Sequence, residues 1–125
     1  MRFLYKPFEA KKKQIIEVEI DVATKVKFMT GKDFKAYRNG KTHTYVGGLY
    51  EESPVRFVVP HDAVWNVVVE KGTYNAPIEV QASCRVMAPN NTVHTSIASD
   101  DPHALADARN TALANEMNLA GRSEG

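Results

Sequence analysis

The chain has 125 residues, of which 43% are hydrophobic and 25% are charged, the composition of one soluble globular domain. A chain of this length buries a core of its own, so the fold requires neither disulfides nor a structural metal. The longest uncharged apolar run, residues 63–69, is interrupted by Asn66 and is far too short to cross a membrane. The N-terminus lacks the apolar region of a secretory signal, and Cys84 is the only cysteine, so we expect a cytoplasmic protein.

The net charge of +1 is unevenly distributed along the chain. Residues 1–41 contain eleven lysines or arginines against five acidic residues, whereas residues 42–125 contain five against ten. Such asymmetry is typical of a surface for an anionic partner, although lysines that only face solvent produce the same pattern. Composition leaves both interpretations open.

Alternation of apolar and polar residues predicts short β-strands through the first two-thirds of the chain. Residues 16–21 alternate apolar and acidic side chains, and residues 25–28 alternate basic and apolar ones. The short link between them predicts a hairpin, in which acidic and basic side chains are cross-strand neighbours. The other predicted strands are residues 2–8, 41–46, 55–59, 63–70 and 78–86. Residues 30–40 break the pattern and predict one short helical turn.

Two of these strands contain residues whose burial the alternation predicts. Trp65 shares a strand face with Val67 and Val69, so we place its ring in the core. Cys84 lies on the apolar, even-numbered face of residues 78–86. We therefore expect a buried, unreactive thiol at this position and not a nucleophile.

The sequence changes character after Met87. Residues 88–91 are typical of a linker, and residues 92–98 predict one more weak strand or an extended arm. Residues 99–102 form a helix start, the alanine-rich residues 103–119 favour a helix, and residues 121–125 are typical of a disordered tail. The predicted organisation is a β domain over residues 1–87 followed by an extension over residues 88–125.

These elements together predict the fold class. We expect a mostly β protein, an antiparallel β-sandwich of about seven short strands with a C-terminal α-helix. A partly open barrel is the alternative, because short antiparallel strands of this spacing serve both architectures.

Several short motifs resemble a known family. They are residues 2–5, residues 29–40, the Tyr-Val-Gly-Gly run at 45–48, the Ser-Pro-Val-Arg run at 53–56 and the strand around Trp65. Over about residues 1–87 the chain resembles the bacterial domain of unknown function 1883. The resemblance implies a compact, mostly β, sandwich-like domain of bacterial origin without an established activity. Some members carry the domain beside a Toll/interleukin-receptor-type domain, which suits a recognition module.

The sequence shows no motif for catalysis or for metal binding. Its histidines are His43, His61, His94 and His103. They lack the spacing of metal ligands, and neither a phosphate-binding loop nor a nucleophile elbow occurs. Glu17, Glu19 and Asp21 are expected on an exposed strand face, which does not favour acid–base chemistry. We assign no catalytic residue, metal or cofactor.

The segment from Lys32 to Gly48 interleaves cations with aromatic rings and ends in two glycines. Cations beside aromatic faces suit phosphates and stacked bases, so we predict a non-catalytic recognition module for a small or polymeric anionic ligand. The predicted ligand-binding residues are Lys35, Tyr37, Arg38, Lys41, His43, Tyr45, Gly47, Gly48 and Arg56. In the competing interpretation, Phe34 and Tyr37 are a structural plug. The alternative function is a protein interaction domain, in which the C-terminal helix or a strand edge forms a homo-oligomer.

Overall fold

The computed structural model describes residues 2–73 and 75–101. Its elements are β1 (Phe3–Ala10), β2 (Ile15–Ile20), β3 (Thr24–Thr30), α1 (Gly31–Arg38), β4 (Val46–Tyr50), β5 (Val55–Val58), β6 (Ala63–Glu70) and β7 (Ala82–Met87). The expected mostly β fold with about seven strands is confirmed. The predicted C-terminal helix lies outside the described residues.

The strands form two antiparallel sheets that do not close into a barrel. The four-stranded sheet has the order β1-β6-β3-β4, and the three-stranded sheet has the order β5-β2-β7. The predicted hairpin between β2 and β3 is wrong, because these strands lie in different sheets. Alternation shows which face of each strand is apolar, and both strands turn that face towards the same core. The link at residues 21–23 therefore carries the chain from one sheet to the other.

The main core lies between the two sheets. The even-numbered residues of β2, Ile16, Val18 and Ile20, face the odd-numbered residues of β6 across the core. Trp65 is 5% exposed and belongs to this core, so its predicted position is confirmed. Its indole N–H donates to the His61 carbonyl at 3.1 Å, which satisfies the one polar atom of the ring.

The four-stranded sheet is also covered on its outer face, because α1 lies on it. Phe34 of α1 packs with Met29 of β3 and Val68 of β6 in a second small core, which the rings of Phe3 and Tyr37 border. The double burial explains why β6 is an apolar run with little alternation. It also fixes the position of α1, which is too short to be stable without tertiary contacts.

Residues 95–101, which we call the edge strap, run along the outer edges of β5 and β4. The main-chain N–H of Ser96 donates to the Arg56 carbonyl of β5, and that of Ser99 donates to the Leu49 carbonyl of β4, both at 2.7 Å. Ala98 is buried between these contacts. Of the two predicted structures for residues 92–98, the extended arm is the one observed.

Candidate ligand-binding surface around α1

Helix α1 is held by hydrogen bonds as well as by its apolar face. Asp33 lies in its first turn, and the Asp33 carboxylate accepts the main-chain N–H of Thr44 at 3.0 Å. This contact folds the segment after the helix back against the helix start. The predicted strand at residues 41–46 is therefore wrong for residues 41–45, and β4 begins at Val46.

The exposed side of α1 and the segment after it is rich in cations. These cations are Lys32, Lys35, Arg38 and Lys41, and all four side chains are exposed. None of the four forms an ion pair with a described residue. We call these four residues, together with the half-exposed ring of Tyr45, the α1 surface.

An open depression of about 410 Å³ lies in the α1 surface. Phe34 forms part of its lining, together with Lys35 and Arg38. The Arg38 guanidinium lies 5.6 Å from the centre of the Phe34 ring, a distance typical of a cation–π contact. Phe34 itself is 7% exposed, so it both anchors the helix and supports an arginine at the surface.

A buried ion pair lies beneath the α1 surface. The Lys27 ammonium is 3.0 Å from the Glu70 carboxylate, and the Tyr37 hydroxyl donates to the same carboxylate at 3.0 Å. The Lys27 ammonium also lies 4.4 Å from the centre of the Tyr45 ring. Desolvation by burial, and then the charge of Glu70, raise the pKa of Tyr37, so its hydroxyl remains a donor. Lys27 is thus paired with Glu70 inside the protein. Tyr37 anchors the helix in addition to Phe34.

His43 lies beside this pair, between two rings of the predicted site. Its ring centre is 5.0 Å from that of Tyr37 and 5.3 Å from that of Tyr45. The His43 Nδ1 atom is 3.0 Å from the Lys41 carbonyl, which can only accept, so Nδ1 carries the proton. The buried Nε2 atom has no hydrogen-bond partner among the residues that the structure describes. His43 therefore orients Tyr45 and the main chain of Lys41.

Comparison with family models gives a match to Domain of unknown function (DUF1883) over residues 1–89. The chain belongs to this DUF1883 family. Comparisons with curated proteins and with solved structures give no match. The α1 surface lies wholly within the DUF1883 match, whereas the edge strap lies beyond it.

Two residues of the predicted site, Gly47 and Gly48, have a structural role in the DUF1883 domain. Both lie in β4 with positive φ angles of 116° and 152°. A Cβ atom on Gly47 would lie 2.2 Å from the Val26 carbonyl oxygen, and one on Gly48 would lie 2.3 Å from an Asp100 carboxylate oxygen. The Asp100 carboxylate accepts the main-chain N–H of Leu49 at 2.8 Å. The close approach of β3 to Gly47 and of the edge strap to Gly48 thus requires glycine at both positions.

Arg56 is separated from the other predicted site residues. It lies on the outer face of the three-stranded sheet, where its guanidinium is 3.1 Å from the Glu17 carboxylate. Arg85 binds the other oxygen of the same carboxylate at 3.0 Å. Hydrogen bonding to Arg56, and then to Arg85, lowers the pKa of Glu17 despite the opposing effect of burial. Glu17 is 5% exposed, so the expectation that it lies on an exposed strand face is wrong.

Cys84 faces the main core, as its alternation predicts, but it is half-buried where full burial was expected. Desolvation raises the pKa of its thiol, against a smaller opposing effect of Lys6. Its low reactivity stays a prediction. In the part of the chain that the structure describes, no group of three or more metal-ligating side chains occurs. Over the same residues, no helix has the length and apolar character of a membrane span.

Proposed function

We propose that this DUF1883 domain is a non-catalytic recognition module that binds an anionic ligand on the α1 surface. One observation carries the proposal: four exposed cations within residues 32–41 have no ion pair with a described residue. Cations gathered on one side of a fixed helix raise the local concentration of anions. A solvated cluster without function is the competing explanation, and the experiment below separates the two.

The arrangement of the cations favours one group of residues over the full set predicted from the sequence. Lys35 and Arg38 line the depression, and Lys41 follows the helix. The ring of Tyr45, further along the same segment, is 41% exposed. Arg56 neutralises Glu17 on the other sheet, so the proposal does not require it. The ligand class that fits is a phosphate-bearing or carboxylate-bearing molecule. Multiple cations attract its negative charge, and an aromatic ring can stack on a planar group of the ligand.

The experiment uses a fluorescein-labelled oligothymidylate as a polymeric probe and inorganic tripolyphosphate as a small competitor. The test variant combines Lys35→Ala, Arg38→Ala and Lys41→Ala. The control variant combines Lys11→Ala, Lys12→Ala and Lys13→Asn, which removes three charges from the exposed link between β1 and β2. Asparagine is chosen at position 13 because this residue has a φ of 74°, which asparagine tolerates.

The proposal predicts saturable binding by the parent and weaker binding by the test variant. If all three cations contact the oligothymidylate, the slope of log K against the logarithm of the salt concentration should be smaller in magnitude by about 2 in the test variant. Each contact to a single strand contributes about 0.7 to this slope. The control variant should bind nearly as the parent does. Equal losses in both variants would show that only net charge matters, and absence of binding by the parent would contradict the proposal outright.

A protein interaction or self-association domain remains the second candidate function. The C-terminal helix proposed for that role lies outside the described residues. The other proposed element, a strand edge, is favoured by one observation: the outer edge of β7 pairs with no described strand.

A further inference from the structure

The edges of the two sheets are protected to different degrees. An exposed edge strand presents unpaired main-chain groups that pair readily with another chain. The edges of β4 and β5 are covered, since the edge strap hydrogen-bonds to Leu49 and Arg56. Strands β1 and β7 are the remaining edges. They differ because β1 contains a proline, Pro7, within the strand, whereas β7 contains none.

Strand β1 is protected by Pro7. The main-chain N–H of Lys71 donates to the Arg2 carbonyl at 2.7 Å, so Arg2 directs its main-chain groups towards β6. Because these directions alternate along a strand, Phe3, Tyr5 and Pro7 direct theirs away from the sheet. Pro7 has no N–H to donate, so the free edge of β1 lacks a donor at its middle.

Strand β7 has no such protection among the described residues. The main-chain N–H of Asp21 donates to the Gln81 carbonyl at 3.2 Å, which directs Gln81 towards β2. By the same alternation, Ala82, Cys84 and Val86 direct their N–H and carbonyl groups outwards. Their main-chain N–H groups make no hydrogen bond to any described residue. Three alternate residues of this edge therefore have outward donors and acceptors that no described residue pairs with.

An apolar cleft lies beside the free edge of β7. It has a volume of about 430 Å³ and is bordered by Leu4 and Lys6 of β1 and by Ala82 and Cys84 of β7. Leu4 is 40% exposed, and the side chains of Ala82 and Cys84 are only half-buried. Small apolar side chains on alternate residues of an added strand would fit against these groups.

The charge on the outer face of β7 indicates which strand fits. Arg85 shares Glu17 with Arg56, and its side chain is 67% exposed on the outer face of β7. Arg85 favours a carboxylate on the outer face of an incoming strand, because cross-strand opposite charges stabilise strand pairing.

We propose that β7 binds an extended peptide with alternating apolar and acidic residues, which adds a fourth strand to the three-stranded sheet. In this mode of recognition, main-chain hydrogen bonds supply affinity and the alternate side chains supply specificity. The apolar residues face Ala82, Cys84 and Val86, and the acidic residues lie beside Arg85. This site is separate from the α1 surface and does not depend on its function.

The probe is the peptide acetyl-IIEVEID-amide, the sequence of residues 15–21. Strand β2 already pairs with the other edge of β7 in this pattern, with Glu17 opposite Arg85. With valine opposite Cys84, the valine directs its N–H towards β7 and each glutamate directs its N–H away. One N-methyl group on the valine should therefore weaken binding about tenfold, whereas one on a glutamate should not. The charge control, acetyl-IIKVKIK-amide, should not bind measurably.

The decisive readout is amide hydrogen exchange of the full chain by NMR, with and without the probe. The proposal predicts slower exchange for the N–H groups of Ala82, Cys84 and Val86 and unchanged exchange for those of Phe3 and Tyr5. The variant with all three α1-surface substitutions should bind the probe as the parent does. Protection elsewhere, equal binding of the lysine peptide, equal effects of the two N-methyl groups, pairing of β7 with a second copy, or no binding would each overturn the proposal.

Discussion

Replacement of Gly48 by alanine tests whether the edge strap is an integral part of the fold. The new Cβ atom would lie 2.3 Å from an Asp100 carboxylate oxygen and 3.0 Å from the Ala98 Cβ atom. Overpacking of this kind costs about 1–3 kcal/mol. The φ of 152° adds backbone strain of about 1–3 kcal/mol in a non-glycine residue. We therefore expect Gly48→Ala to lower the free energy of unfolding by about 2–6 kcal/mol.

Denaturant unfolding in two backgrounds separates these contributions. In Asp100→Gly the carboxylate is absent, so the cost of Gly48→Ala should fall by up to about 3 kcal/mol, while the backbone strain remains. Gly31→Ala is the matched control, because nothing lies within 4 Å of its added Cβ atom and its φ is not positive. A cost for Gly48→Ala that matches Gly31→Ala, or that is equal in both backgrounds, would refute the placement of the edge strap.

Two further predictions concern the core and the buried carboxylate. Trp65→Ala should lower the free energy of unfolding by about 3–5 kcal/mol because it empties a large core site, and unchanged denaturant stability would mean that the ring is not buried. For Glu17, the folded-state pKa lies below its ordinary value of 4.5, so its ion pairs stabilise the protein above pH 4.5 and lose this effect as the pH falls below that value. Glu17→Gln should therefore flatten the acid side of the stability curve measured by thermal unfolding, and an acid side as steep as that of the parent would contradict the assignment.

Local pattern predicted most of the strands, with β4 misplaced, but not their partners. Alternation of side chains correctly placed Trp65 in the core, because burial of one strand face is a local property. The choice of neighbouring strand is not local, which is why the pairing of β2 with β3 was wrong. Glu17 finds Arg85 at a separation of 68 residues, and no periodicity in the sequence reports such a contact.

The candidate site was predicted only in part, because the sequence pattern again reports on neighbours along the chain and not on distant partners. The interleaved cations and rings of residues 32–45 are close in sequence, so the structure gathers them around α1. Arg56 was grouped with them on charge alone, and only the fold shows that it faces Glu17. The edge strap was predicted only as a weak strand, an extended arm or a helix start, because it binds the sheet edges through main-chain and polar side-chain groups that leave no pattern in the sequence. The Gly47-Gly48 pair was the one available signal for its close approach.

The most direct test of the proposed function is an NMR titration of the full chain with inorganic tripolyphosphate. We predict amide shift changes concentrated in residues 31–45, with saturation and with weaker binding at higher salt, because screening acts within about 8–10 Å at ordinary ionic strength. Shift changes centred on Arg56 and Arg85, or small changes spread over all exposed lysines, would contradict a recognition surface around α1.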